Sequence, residues 1–281
     1  MGIKIIKPGL FTTLQDLGRP GYRCDGIGPG GVMDFFAASV ANFLTGNDEH
    51  APVLEMHFPA AELLFEEDAL VSITGADFGA CIDDAETTLW KPLLIKKQQR
   101  LSFKKHNSGA RVYLSVQGGI KADRWLNSYS TQIKVQEGGY KGRALLKGDG
   151  LDLLAGNSFF GLKNFPVVTA LAMPVYKPAS PIRCIGGTEW GIVEDESKAK
   201  FVGELFSITA QSDRMGYRLQ AINLVLNEPV HLVSSPVDLG TIQLLPSGQL
   251  IILMADHQTT GGYPRVANVI SADLPKLAQQ H

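Results

Sequence analysis

The chain has 281 residues, 44% hydrophobic and 19% charged, which is enough apolar material for a sizeable core and too apolar for a disordered segment. With 26 Lys and Arg against 28 Asp and Glu, the formal net charge of −2 excludes the basic excess of a general nucleic-acid binder. No apolar run has signal-peptide or membrane-span length, so the expectation is a cytoplasmic protein that engages neither membrane nor nucleic acid.

Short strands dominate the predicted elements, and 30 glycines and 15 prolines imply many turns. Residues 3–6 make the first strand. Residues 34–44 make a helix: Asp34 can cap it, Phe36, Val40, Phe43 and Leu44 form its apolar stripe, and Gly46 ends it. Strands follow at 63–65, 69–74, 93–95, 100–103 and 111–116, with hairpin turns at Asp83-Asp84 and Asn107-Ser108-Gly109. The second turn joins 100–103 to 111–116 as a predicted hairpin. A helix at 189–201 has acidic residues early and lysines late, matching the helix dipole. A strand at 250–254 and a helix at 274–280 complete the chain. The class is all-β with a few short helices.

Between Phe165 and Ile182 lie Pro166, Pro174, Pro178 and Pro181, which reads as an interdomain linker. The expected domains are therefore 1–178 and 179–281. Residues 10–23 and 205–218 share Leu-Phe and Arg-x-Gly-Tyr-Arg at equal spacing. That similarity implies two related β-domains, with equivalent loops bearing Arg19, Tyr22 and Arg23 in one and Arg214, Tyr217 and Arg218 in the other.

Three polar segments can carry chemistry. In Gln15-Asp16-Leu17-Gly18-Arg19-Pro20-Gly21-Tyr22-Arg23 and in Ser212-Asp213-Arg214-Met215-Gly216-Tyr217-Arg218, arginine forks suit carboxylates, or the aspartates pair with them in structural turns. In the first, Asp16 can orient Arg19 or Arg23. Asp256-His257-Gln258-Thr259-Thr260-Gly261-Gly262-Tyr263-Pro264 follows an apolar strand. There Asp256 or His257 can move a proton, Gln258 and Thr259 offer polar contacts, and Gly261 and Gly262 admit a ligand to the backbone, unless the segment is only a self-satisfied turn. Gly26-Ile27-Gly28-Pro29-Gly30-Gly31 opens the first helix, as an anion site or as a geometric loop, and lacks Walker and dinucleotide fingerprints. Gly138-Gly139-Tyr140-Lys141-Gly142-Arg143 reads as a flexible hairpin. Cys24, Cys81 and Cys184 fit no disulfide framework, and the six histidines show no metal spacing, so no metal is expected.

Taken together, these segments resemble the KipA/PxpC family, also called allophanate hydrolase subunit two or biotin-dependent carboxyltransferase-like. The resemblance begins with Gly9-Leu10-Phe11-Thr12-Thr13-Leu14-Gln15-Asp16-Leu17-Gly18-Arg19-Pro20-Gly21-Tyr22 and Gly30-Gly31-Val32-Met33-Asp34. It continues through Leu54-Glu55, Ile73-Thr74-Gly75-Ala76, Gly118-Gly119-Ile120 and Gly139-x-x-Gly142-Arg143 to the 212–218 and 256–264 segments. The chain departs from the family at Phe58-Pro59-Ala60, at Tyr129 within Asn127-Ser128-Tyr129-Ser130-Thr131 where arginine is common, and at His257 where arginine is usual. Family members commonly continue past the final Leu-Ala-Gln, so a C-terminal tail is expected beyond Gln279-Gln280-His281.

The resemblance implies two cyclophilin-like β-barrel subdomains. It implies a subunit of an ATP-dependent 5-oxoprolinase, inactive alone, acting with a KipI/PxpB-like protein and a PxpA-like lactam-hydrolase subunit on a small amide or carboxylate. The alternatives it implies are the carboxyltransferase component of a urea-carboxylase-like system, or a KipA-type antagonist of a histidine-kinase inhibitor. No cofactor is expected on this chain alone; ATP serves the complex, and biotin serves the carboxyltransferase alternative. The expected site lies between the two β-domains. There Asp256 would be the base, Arg214 or Arg218 the carboxylate fork, and Gln258 and Thr259 the polar contacts. Tyr217, Gly261, Gly262 and Tyr263 would line it, with Arg19 and Arg23 in the equivalent first-domain loop.

Overall fold

Alternating side chains explain most of what the chain builds. A computed structural model describes residues 2–154, 168, 174–220, 223–228 and 230–280. They divide into two units: Met1–Gly18 with Asp34–Pro178, and Arg19–Met33 with Ala179–Gln280. The predicted linker falls at this break, though its residues 165–167 and 169–173 lie outside the described residues. Among the described residues no helix is long and apolar enough to cross a membrane.

In the first unit the elements run β1 (Ile3–Lys7), β2 (Thr12–Gln15), α1 (Phe35–Thr45), β3 (Val53–His57), β4 (Glu62–Phe65) and β5 (Ala69–Asp77), then β6 (Ala80–Ile82), β7 (Ala85–Glu86), β8 (Pro92–Ile95), β9 (Arg100–Phe103), β10 (Ser108–Val116) and β11 (Gly150–Leu151). They form two antiparallel sheets, β11-β1-β4-β9-β6-β7 and β2-β3-β10-β5-β8. Ile3, Ile5, Leu63, Phe65 and Leu101 of the first sheet share one core with Leu14, Leu54, Met56, Val71, Ile73, Val112 and Leu114 of the second. The other face of the second sheet is polar yet buried, because α1 covers it. Ser72 Oγ donates to the Ala41 carbonyl at 2.6 Å and Thr74 Oγ1 to that of Ala37 at 2.7 Å. Asp34 caps α1 by accepting from the Ala37 amide at 2.9 Å, and Gly46 closes it at φ 71°, as the sequence predicts.

Asp83 and Asp84 make the predicted β6–β7 turn, both with positive φ. The predicted hairpin of β9 with β10 does not form: β9 pairs with β4 and β6, whereas β10 pairs with β3 and β5 in the other sheet. The amides of Lys104, Lys105 and Asn107 donate to the carbonyls of Gly79, Phe78 and Asp77, so the segment after β9 follows the β5–β6 connection instead of turning back.

The second unit contains β12 (Cys184–Gly186), α2 (Asp195–Gly203), β13 (Ser207–Ile208), β14 (Gly216–Gln220), β15 (Ser235–Pro236), β16 (Thr241–Leu244), β17 (Leu250–Leu253), β18 (Thr260–Gly261), β19 (Arg265–Val269) and α3 (Leu274–Ala278). Its main sheet runs β12-β19-β16-β17-β14-β13, and β15 pairs with β18. The predicted helix from 189 divides into a 3-10 turn, Trp190–Ile192, and α2, because Val193 bridges to Leu226 between them.

Two expectations change here. Arg19–Met33, placed by sequence in the first domain, belongs to the second unit, and Met33 joins the second core. The two similar segments are not equivalent loops of two domains. Tyr22 and Arg23 sit at the entry to a 3-10 turn, while Tyr217 and Arg218 lie within β14, and both pairs belong to the second unit.

Candidate substrate-binding site

Period-two alternation on β14, β17 and β16 sends Tyr217, Leu219, Leu250, Ile252, Ile242 and Leu244 into the second core. The same alternation leaves Arg218, Ile251 and Gln243 on the opposite face. There they are cross-strand neighbours, Arg218 opposite Ile251 and Ile251 opposite Gln243. Above them opens a cavity of about 570 Å³, lined among others by Arg218, Gln243, Gln258, Tyr263, Asp213 and Ser247. Two glycines shape it. A Cβ on Gly216 would stand 2.8 Å from the end of the Ile251 side chain, and one on Gly261 would stand 2.5 Å from Gln243 Nε2. Gly261 is held in place by its pairing with Ser235. Gln258 Nε2 reaches Gln243 Oε1 at 3.4 Å.

Of the residues predicted for the site, the cavity brings together Arg218, Gln258 and Tyr263, with Gly261 against its wall. Arg214 and Asp256 are joined to each other. Arg214 Nε donates to Asp256 Oδ2 at 2.8 Å, its Nη2 donates to Oδ1 at 3.2 Å and also to the Gly31 carbonyl, and the Asp256 amide donates to the Arg214 carbonyl at 2.8 Å. Both carboxylate oxygens of Asp256, the expected base, are thus taken up by one guanidinium. Arg19, fully buried, lies beside the pair: a Cβ on Gly30 would be 2.7 Å from Arg19 Nη1 and 3.6 Å from Asp256 Oδ1. Arg23 pairs with Asp238 and the Val237 carbonyl. Tyr217 is a core residue with its hydroxyl 3.4 Å from the Ala278 carbonyl. Thr259 accepts the Val237 amide through its backbone, and Gly262 packs near Ser234.

The remaining polar segments are structural. Asp16 orients neither Arg19 nor Arg23. It accepts from Ser128 Oγ and Ser130 Oγ at 2.6 Å each, from the Tyr129 amide at 2.6 Å and from the Gly18 amide at 2.8 Å. Residue 129 is therefore tied through its backbone. The Asp34 carboxylate itself fills the N-terminus of α1, held also by the Tyr176 hydroxyl at 2.9 Å. Gly139 and Gly142 each abut other residues closely, so that turn is packed rather than flexible. His257 is buried, which lowers its pKa, and its Nδ1 donates to the Gln258 carbonyl at 2.5 Å.

Sequence reasoning missed Gln243. Its signal was a single glutamine inside Thr241-Ile-Gln-Leu-Leu245, an alternation that reads as one solvent-facing position.

A family model described as carboxyltransferase domain, subdomain A and B, matches residues 25–281. The 5-oxoprolinase C subunit of Escherichia coli is 39% identical over 278 residues, spanning 99% of this chain and 87% of that protein. Its namesake in Haemophilus influenzae is 37% identical over 271 residues, 95% of this chain and 84% of that one. Urea amidolyase of Saccharomyces cerevisiae is 33% identical over 300 residues, 99% of this chain but 16% of that protein. The solved urea amidolyase of K. lactis superposes with a TM-score of 0.89 at 26% identity, covering 99% of this chain and 18% of the larger one. With that family model matching residues 25–281 and a relative 39% identical along 99% of its length, the chain belongs to the carboxyltransferase domain family of subdomains A and B.

Proposed function

We propose that this chain is a subunit of an ATP-dependent 5-oxoprolinase, opening pyroglutamate to glutamate together with a KipI/PxpB-like protein and a PxpA-like lactam-hydrolase subunit. The observation that carries the reading is the 39% identity to a 5-oxoprolinase C subunit along 99% of this chain and 87% of that protein. A lactam is a stable amide, and opening it against its equilibrium needs coupling to ATP. The chain has no Walker loop, so in this reading nucleotide handling falls to the partners and this chain supplies part of a composite site. Within it, the Arg218 guanidinium binds the substrate carboxylate, and Gln258 and Tyr263 contact the ring. The Arg214–Asp256 pair holds the loop that presents them.

The test is reconstitution with both partners. The expected result is ATP-dependent release of glutamate from 5-oxoproline by the complete set and by no smaller one. Arg218→Ala removes a charge-assisted contact of about 1.5–3 kcal/mol, so catalytic efficiency should fall at least about tenfold with the melting temperature unchanged. Carboxylation of urea with a biotin carrier, and no glutamate from 5-oxoproline, would replace this reading with the urea-carboxylase one.

A further inference from the structure

We propose that the first unit takes up an extended strand of another protein chain, apolar on one face and acidic at one end, along the groove between α1 and the edge strand β8. The groove follows from register. On β5, Ser72 and Thr74 point at α1 and donate to the carbonyls of Ala41 and Ala37. β8 pairs with β5 and ends the sheet, with Pro92 opposite Ser72 and Leu94 opposite Leu70. Opposed residues share a face, so Pro92 and Leu94 stand on the α1 side. On α1, Asn42 and Thr45 turn to Ser115 of β10. The other flank of the helix carries Phe36, Val40 and Phe43, and the Phe36 ring meets Trp90 with centroids 6.3 Å apart. The stripe thus runs level with Trp90, Pro92 and Leu94. Phe43 is 56% exposed, Leu94 45% and Phe36 37%. Large apolar groups exposed together in one strip mark an interaction surface, whereas scattered ones do not.

The sheet edge says what form the partner takes. The Gln117 amide donates to the Leu70 carbonyl, and the Trp90 amide to that of Ile73. Backbone groups alternate sides along a strand, so even-numbered residues of β5 face β10 and odd-numbered ones face β8. Leu93 and Ile95, opposite Val71 and Ala69, therefore turn inward, and Leu94 turns its N–H and C=O outward. Pro92 offers only a carbonyl there. Lys96 is closed by Gln99, whose Oε1 accepts its amide at 2.8 Å and whose amide donates to its carbonyl at 3.0 Å.

An incoming antiparallel strand exchanges both bonds with Leu94 and donates one more to the Pro92 carbonyl. Its side chain opposite Leu94 lies against Phe43, and the one opposite Pro92 against Val40. A second copy of β8 fits less well: centred on Leu94, it brings the Pro92 carbonyl to a Lys96 amide that Gln99 already holds. Beside Pro92, Lys91 is exposed, which supplies a counter-charge for a carboxylate just past the apolar pair. The occupant is thus a strand with two alternate apolar residues followed by an acidic one.

The isotope-labelled full chain is titrated with the peptide acetyl-Thr-Val-Thr-Val-Asp-amide and followed by amide NMR shifts, with its own association state measured by analytical ultracentrifugation. Saturable shifts at β8 and α1 are expected. Leu94→Pro removes the outward N–H while leaving the bonds to β5, and should weaken binding about three- to tenfold. Phe43→Ser, at an exposed position where the fold is safe, should weaken it by a similar factor. Lysine in place of the peptide's aspartate should bind more weakly to wild type, and Lys91→Ala should erase that difference. Absence of saturable binding, shifts confined to other parts of the chain, or equal affinity in Phe43→Ser overturns the proposal. So does a wild-type dimer that Phe43→Ser dissociates, which would assign the groove to a second copy.

Discussion

Arg214 and Asp256 look like chemistry in the sequence and are paired with each other in the fold. A guanidinium that donates to both oxygens of one carboxylate and to the Gly31 carbonyl leaves no fork for a substrate. Asp256→Asn should therefore destabilise the protein by about 3–5 kcal/mol, because a largely buried arginine loses its counter-charge. Chemical denaturation measures this directly; an unchanged midpoint with lost turnover would return Asp256 to the catalytic role. Asp273 gives a pH-dependent counterpart. Hydrogen bonds from Arg183 hold its pKa at about 2, below the ordinary 3.8, at distances of 2.7 to 3.0 Å. A depressed carboxylate value means stability that is full above the ordinary pKa and is lost as pH falls toward 2. Asp273→Asn should lower the melting temperature at pH 7 and flatten its decline between pH 4 and pH 2 relative to wild type. Which residues are polar was legible from the chain; which polar residues face each other was not, since Arg214 meets Asp256 only through β14, β17 and the loop after it.

At the scale of elements, local chemistry was the legible part. The cap at Asp34, the stop at Gly46 and the Asp83-Asp84 turn depend on neighbours in sequence, and all three form as expected. Asp83 and Asp84 adopt φ 47° and 68°, a conformation that suits glycine better than aspartate. Asp83 also accepts from the Arg100 amide and Gln99, so it is best kept. Asp84→Gly should raise the melting temperature despite losing the exposed Lys104 pair, as thermal melts would show. A decrease would mean that the pair outweighs the strain. Sheet membership was not legible. Residues 100–103 and 111–116 alternate alike, and only long-range bonds to Asp77, Phe78 and Gly79 send them to different sheets. Gln243 escaped for a related reason: alternation marks a position as facing away from one core, and a second covered surface on that side is invisible to it.

For the whole molecule, the prolines marked the division after Pro178, but the Arg-x-Gly-Tyr-Arg segments at 19–23 and 214–218, expected one in each domain, both lie in the second unit. The chain enters the second unit at Arg19, leaves it after Met33 and returns at Ala179. Nothing local announces that excursion, since the contacts that tie it to the second unit are with residues far along the chain. Gly28 would clash with the His257 carbonyl if it carried a side chain, the Gly31 carbonyl receives Arg214, and Met33 sits in the core with Tyr217 and Ile252.

That excursion makes the first part of the polypeptide an indispensable donor to the second. A fragment beginning at Ala179 would lack the Gly31 acceptor, the Asp238 partner Arg23 and the core side chain Met33. Expressed alone it should be poorly folded, and supplying residues 1–178 in trans should restore it. A protease site inserted after Pro178 makes the same point from the other direction: the cut chain should elute as one species on size-exclusion chromatography and separate only in denaturant. Two pieces that part in native buffer would show that the donated segment is dispensable. The break after Pro178 is thus a seam in the backbone but not in the folded material, and the second unit is complete only when two non-contiguous stretches of chain are present together.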